Sequence, residues 1–138
     1  MNKGIQAEFR FDSYLISKSL IEIKDRSERV DKDLSVSFSP SGVVSKDMLN
    51  VELDVNLTNE NKSLLVNLSM NGIFVFKEDL KIDILNGAFC SNAIAIMFPY
   101  IRAYISTLAS LSGIGSLMLP TLALTNLGDV LKDNLREE

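Results

Sequence analysis

The chain has 138 residues, 46% hydrophobic and 23% charged, with a net charge of -4, which is the composition of a globular domain with one modest core rather than a disordered segment. Its fourteen Lys and Arg residues stand singly, which argues against the clustered cations that nucleic-acid phosphates require. Histidine is absent and Cys90 is the only cysteine. That removes His-based acid–base and nucleophile pairs, most zinc and iron sites, and any intrachain disulfide.

The N-terminus alternates polar and apolar residues where a signal peptide would show an unbroken apolar stretch. It reads as structure, and the expected compartment is reducing and cytoplasmic. Ile5, Ala7, Phe9 and Phe11 alternate with Gln6, Glu8, Arg10 and Asp12, the period of a half-buried strand. Leu15 to Ile23 continues extended, and the doublets Leu15-Ile16 and Leu20-Ile21 suggest a bulge or a change of face. Lys24 to Asp33 reads as a charged loop. Leu34 to Phe38 alternates again, and Pro40-Ser41-Gly42 supplies turn chemistry.

Met48 to Leu57 forms the next strand, with Val51, Leu53, Val55 and Leu57 on one face. Asn59 to Lys62 is a polar hairpin connection. Leu64, Val66, Leu68 and Met70 open a strand that leads into Ile73–Phe76, and Asn71-Gly72 reads as a glycine bulge inside it.

After Lys77 the period becomes helical. Asp79 can cap a short helix carrying Leu80, Ile82 and Leu85, ended by Asn86-Gly87. Ser91 or Asn92 can cap a longer helix to Leu111, with a kink expected from Pro99. Its apolar face holds Ile94, Met97, Ile101, Tyr104, Ile105, Leu108 and Leu111. An apolar loop, Gly113 to Pro120, precedes a last helix capped at Thr125 or Asn126 and reaching Leu135.

Strands followed by helices predict a single α+β domain over residues 1–138: a four-stranded antiparallel sheet with two C-terminal helices on one face. From Ile84 to Leu131 the only charged residues are Arg102 and Asp129. The glycines, prolines and hydroxyls that interrupt this run make a membrane span the weaker reading. Four strands and two helices cannot hide so much apolar surface, so self-association, helix against helix, is expected. Met97, Ile101, Tyr104, Ile105 and Leu108 are the residues expected at that interface.

No catalytic or metal constellation emerges. Gly113-Ile114-Gly115 follows a helix and lacks a phosphate loop's later glycine, and Cys90 has no histidine to activate it. The stripe Leu34, Val36, Phe38 reads either as core or as one edge of an open apolar groove, joined by Ile73–Phe76 and the loop Ile114–Leu119. Met97, Met118 and Phe74 would supply adaptable contact area there.

The segment Cys90-Ser-Asn-Ala-Ile-Ala-Ile-Met-Phe98-Pro99-Tyr100-Ile-Arg102 resembles the family of SecB protein-export chaperones. Asn71-Gly-Ile-Phe-Val-Phe76, Gly115-Ser-Leu-Met-Leu-Pro120 and Leu127-Gly-Asp-Val-Leu131 resemble its later strand, apolar loop and last helix. The resemblance implies a four-stranded sheet with two helices, assembled as a dimer of dimers through the long helix. It also implies a non-enzymatic, cofactor-free, ATP-independent holdase for unfolded or precursor polypeptides. Its groove would hold Leu34, Val36, Phe38, Ile73, Phe74, Phe76, Ile114, Leu117, Met118 and Leu119.

Where the family places an Asp after the lysine of its first strand, Ser19 follows Lys18. Ser91 replaces a proline, and the acidic tail is cut to Arg136-Glu-Glu138. These departures weigh against a SecA-type translocase as partner. A paralogue serving an antitoxin in a toxin–antitoxin system fits as well as one serving export. The same surface could instead belong to a non-catalytic adaptor with one fixed protein partner.

Overall fold

In a computed structural model, residues 8–25, 30, 33–115, 117–119 and 124–138 are described. Four long strands, β1 (Phe9–Ile23), β2 (Ser35–Ser45), β3 (Met48–Thr58) and β4 (Leu64–Phe76), precede two helices, α1 (Gly87–Leu111) and α2 (Leu124–Asp133). A short β5 (Leu135–Glu137) follows, and the sheet order is β1-β4-β3-β2-β5. The first four strands pair antiparallel, and β5 lies parallel to β2. The expected α+β architecture is present with a fifth strand added. Leu135-Arg-Glu reads as a solvated acidic end because a three-residue strand offers no period to detect.

Alternation sorts the sheet into an apolar and a polar face. Leu49, Val51, Leu53, Val55 and Leu57 of β3, with Leu64, Val66, Leu68, Met70, Phe74 and Phe76 of β4, are buried on the face covered by the helices. The opposite face carries Asn50, Glu52, Asp54 and Asn56 against Asn67, Ser69 and Asn71. There Ser69 donates to Asp54 at 2.6 Å.

Along β1 the core-facing parity switches twice: Phe9 and Phe11, then Tyr14 and Ile16, then Ser19, Ile21 and Ile23 oppose the apolar positions of β4. The register shifts lie between Phe11 and Ser13 and between Ile16 and Lys18, each a bulge that returns the next apolar residue to the core. The two sequence doublets do not mark these shifts: Leu15-Ile16 and Leu20-Ile21 each pair in unbroken register, with the leucine exposed and the isoleucine toward the core. Residues 5–7 of the expected strand, and most of the loop before Leu34, lie outside the described residues.

Three local expectations are corrected. β2 runs straight through Pro40-Ser41-Gly42, and the turn falls at Lys46-Asp47, where Lys46 adopts φ +56°. Gly42 donates its N–H to Asn134 of the β5 segment, and Pro40, two residues earlier, has its nitrogen on the same side. The proline therefore sits where β3 asks for no hydrogen bond, the position a strand tolerates.

At Gly72, β4 keeps an unbroken register with β3, so the glycine is no bulge. A Cβ there would meet the Met97 sulfur at 2.9 Å and the Phe11 ring at 3.1 Å, which makes this the point of close approach between sheet and helix. Asn86 does not end a helix but begins α1: its side chain accepts from the Phe89 N–H at 2.8 Å. Upstream, only a 3₁₀ turn, Ile82–Ile84, forms.

α1 is continuous through Pro99. Ala95, whose carbonyl loses its helical donor to the proline ring, is exposed, so water can take its place. The β3–β4 connection is as read from the sequence, closed by buried Asn59, which donates to Ser63 at 2.7 Å and accepts from the Leu64 N–H at 3.0 Å.

Candidate apolar binding margin

The helix aligns the site. Met97 packs at Gly72, Tyr100 meets Phe11 and Tyr14, and the Tyr104 hydroxyl donates to Ser19 at 2.9 Å. α1 therefore advances along the sheet in the direction of β1. Its C-terminus and the loop that follows reach the end where Ile23, Leu64, Thr58 and Ser35 lie in register. On its other flank Phe98 meets Phe38, with centroids 5.9 Å apart, and the Arg102 guanidinium lies 5.0 Å from the Phe98 ring.

At this end the packing is unfinished. Leu34, Val36 and Phe38 are half-buried against the core, as are Ile114 and Leu119. Leu117 is buried, whereas Met118 and Leu111 are each 83% exposed. Leu34, Val36 and Phe38 thus lie toward the end of the sheet that the α1 C-terminus approaches, and Ile114 and Leu119 pack against the same core. The other residues of the expected groove do not join them. Phe74 and Phe76 are buried at the opposite end of the sheet, where Phe74 pairs with Leu49 and Leu49 with Val44. Ile73 lies on the polar face, because it neighbours Phe74 in a strand of period two;.

The helical residues expected at a self-interface also divide. Met97, Ile101 and Ile105 are at most 1% exposed within the subunit and have no surface left for another copy. Their spacing of four names an inward face, and sequence cannot tell a neighbouring sheet from a neighbouring molecule. Tyr104 and Leu108 are half-buried. The outer face of α1 is instead Ala95, Pro99, Arg102, Ala103 and Thr107, all exposed. The helix has the length and apolarity of a membrane span, but seven of its residues fill this chain's core.

Sequence reasoning passed over an aromatic network at the start of β1. Phe9, Phe11, Tyr14, Phe74, Phe76, Phe89 and Tyr100 form a chain of ring contacts, with Tyr14 and Tyr100 only 4.7 Å apart and both exposed. Three separate segments contribute, so only the closed fold brings them together. Chemically the surface offers contact and little else. Burial pushes the Cys90 thiol up to about 11, so it remains protonated near neutrality. No cluster of three or more His, Cys, Asp or Glu suited to a metal exists among the described residues.

The architecture is a SecB-like fold. A SecB-like chaperone of Mycobacterium tuberculosis, solved with a ChAD peptide from the HigA1 antitoxin, superposes with a TM-score of 0.67 at 15% identity, covering 83% of this chain and 90% of that one. A protein of unknown function from Streptococcus agalactiae gives 0.53 at 5% identity, covering 84% and 99%. No family model matches the chain, and no curated protein matches it by sequence.

Proposed function

We propose that this chain is an ATP-independent holdase that binds non-native polypeptides, an antitoxin or an export precursor among them, along its apolar margin. The observation that carries the reading is the unfinished packing of Leu34, Val36, Phe38 and the Ile114–Leu119 loop in a SecB-like fold.

The energetics suit this role. Each leucine-sized client side chain that leaves water contributes roughly 1.5–3 kcal/mol gross. Ordering the client opposes that gain, so several anchors must act together. Unfolded chains offer many such anchors and native ones few. Nucleotide has no part in the balance, and neither does covalent chemistry. Self-association into a dimer of dimers belongs to the same proposal, with the outer face of α1 and half-buried Tyr104 and Leu108 as its helical contribution. A cytoplasmic setting goes with it.

A second reading, one dedicated partner, is favoured by the single antitoxin peptide held by the Mycobacterium neighbour. The two are separated by light scattering from a client diluted out of denaturant without nucleotide. A general holdase delays aggregation at stoichiometric amounts. A protein that leaves aggregation unchanged, yet captures one folded partner at fixed stoichiometry, is an adaptor.

A further inference from the structure

The apolar margin ends at a sheet edge whose main-chain valence is not fully used by the described residues. Gly42 donates its N–H to Asn134, the Val44 carbonyl accepts from Glu138, and the Pro40 carbonyl accepts from the Asn134 side chain. The even-numbered residues of β2 therefore turn their main chain away from β3 and toward the edge. By the same parity Val36 and Phe38 present two N–H and two C=O groups there. None of the four has a partner among the described residues, because β5 pairs only with Gly42–Val44.

Proteins normally protect such an edge with charge, bulges or brevity. The other long outer strand, β1, has two bulges and carries Arg10, Asp12, Lys18 and Glu22. β2 has eleven residues, an unbroken register and no charged side chain.

We propose that the Ser35–Ser39 edge of β2 is a strand-acceptor site, where an extended segment of a non-native polypeptide pairs with the main chain of Val36 and Phe38. The β5 segment already demonstrates the mode on the same edge, its Leu135 lying over Gly42 where a Cβ would come within 2.7 Å of it. Pro40 interrupts donation between the two stretches, so client and β5 occupy separate places. A strand seated at Val36 and Phe38 sends alternate side chains toward the half-buried Leu34, Val36 and Phe38 and the others to solvent. Backbone pairing is indifferent to sequence, whereas the apolar side selects for greasy alternate positions. This inference rests on the holdase reading and specifies how its site takes a client.

The test uses Val36→Pro and Val36→Ala with reduced, carboxymethylated lactalbumin as a permanently unfolded client. Proline keeps most of the side-chain carbon and removes the outward N–H at a parity where Pro40 is already accommodated. Alanine does the reverse. V36P should bind roughly five- to tenfold more weakly than wild type with an unchanged melting temperature, and more weakly than V36A. V36P binding as well as wild type overturns strand addition and leaves the holdase standing, whereas a wild type that binds no client overturns both.

Should V36P fail to fold, amide exchange of the wild type decides. Val36 and Phe38 should slow at least tenfold when client is added, and unchanged rates refute the site. Protection that appears without client and grows with protein concentration assigns the edge to a second copy instead, which also refutes it.

Discussion

Replacing Gly128 by alanine sets two forces of opposite sign against each other. Glycine within a helix costs about 1 kcal/mol relative to alanine, so propensity alone predicts that Gly128→Ala stabilises α2. The packing predicts the reverse. A Cβ at Gly128 would stand 2.8 Å from the Ser91 nitrogen and 2.9 Å from its Cα, with the hydroxyl closer still. The hydroxyl can rotate away, but the α1 backbone cannot. Overpacking against fixed atoms costs typically 1–3 kcal/mol. Taking the upper end and subtracting the propensity gain leaves a net destabilisation of about 2 kcal/mol, or a fall in Tm of roughly 6–10 °C for a domain of this size.

Gly87→Ala serves as the control, since its Cβ meets only the Asp129 carboxylate at 3.0 Å, a side chain free to move. Urea unfolding followed by circular dichroism measures both. If Gly128→Ala is as stable as wild type or more so, α2 does not lie on Ser91 as described, and the placement of β5 beyond it falls too.

Three further outcomes are expected. Asn59→Ala removes both hydrogen bonds made by the Asn59 side chain in the β3–β4 connection and leaves the Leu64 N–H without its acceptor, at a cost of about 1–3 kcal/mol in urea unfolding;. The Cys90 thiol, raised from 9.0 to about 11 by burial, should resist iodoacetamide at pH 8 in the native protein and react once unfolded. The unfolded chain releases this proton near pH 9 and the folded one near pH 11. The thiol's contribution to stability is therefore fully present below pH 9 and is lost as pH rises from 9 to 11, as unfolding free energies across that range will reveal. Val36→Asp places a carboxylate at the half-buried margin and should weaken binding of an unfolded client at least tenfold, with a far smaller change in Tm than a core substitution gives.

Much of this fold is written in the alternation of β1, β3 and β4, because a two-layer protein with one wet sheet face repeats that pattern residue by residue. The doublets in β1 did not locate its bulges: each pairs an exposed leucine, Leu15 or Leu20, with a core-facing isoleucine in unbroken register, while the shifts fall at Asp12 and Ser17. Elsewhere local chemistry misled. Pro40-Ser-Gly42 carries turn residues yet lies within a strand, because the edge position of Pro40 makes its missing N–H harmless and Gly42 leaves room for Leu135. Gly72 resembled a bulge and is instead where the helix touches the sheet, a fact about a segment twenty-five residues away.

Of the residues read from the sequence as one groove, Leu34, Val36 and Phe38 stay half-buried toward one end of the sheet, whereas Phe74 and Phe76 are buried toward the other, and a hydrophobic stripe does not disclose which end closes. Met97, Ile101 and Ile105 name a face of α1 without naming its partner, which turned out to be the chain's own sheet. The main-chain valence at Val36 and Phe38 could not be read at all, since it depends on which side of β2 has a neighbour.

Lactalbumin offers the most direct trial when its two forms are compared by calorimetric titration without nucleotide: native and disulfide-intact against reduced and carboxymethylated. The account predicts saturable binding of the unfolded form alone, with the negative heat-capacity change that apolar burial brings. Equal affinity for both forms, or none for either, would contradict it.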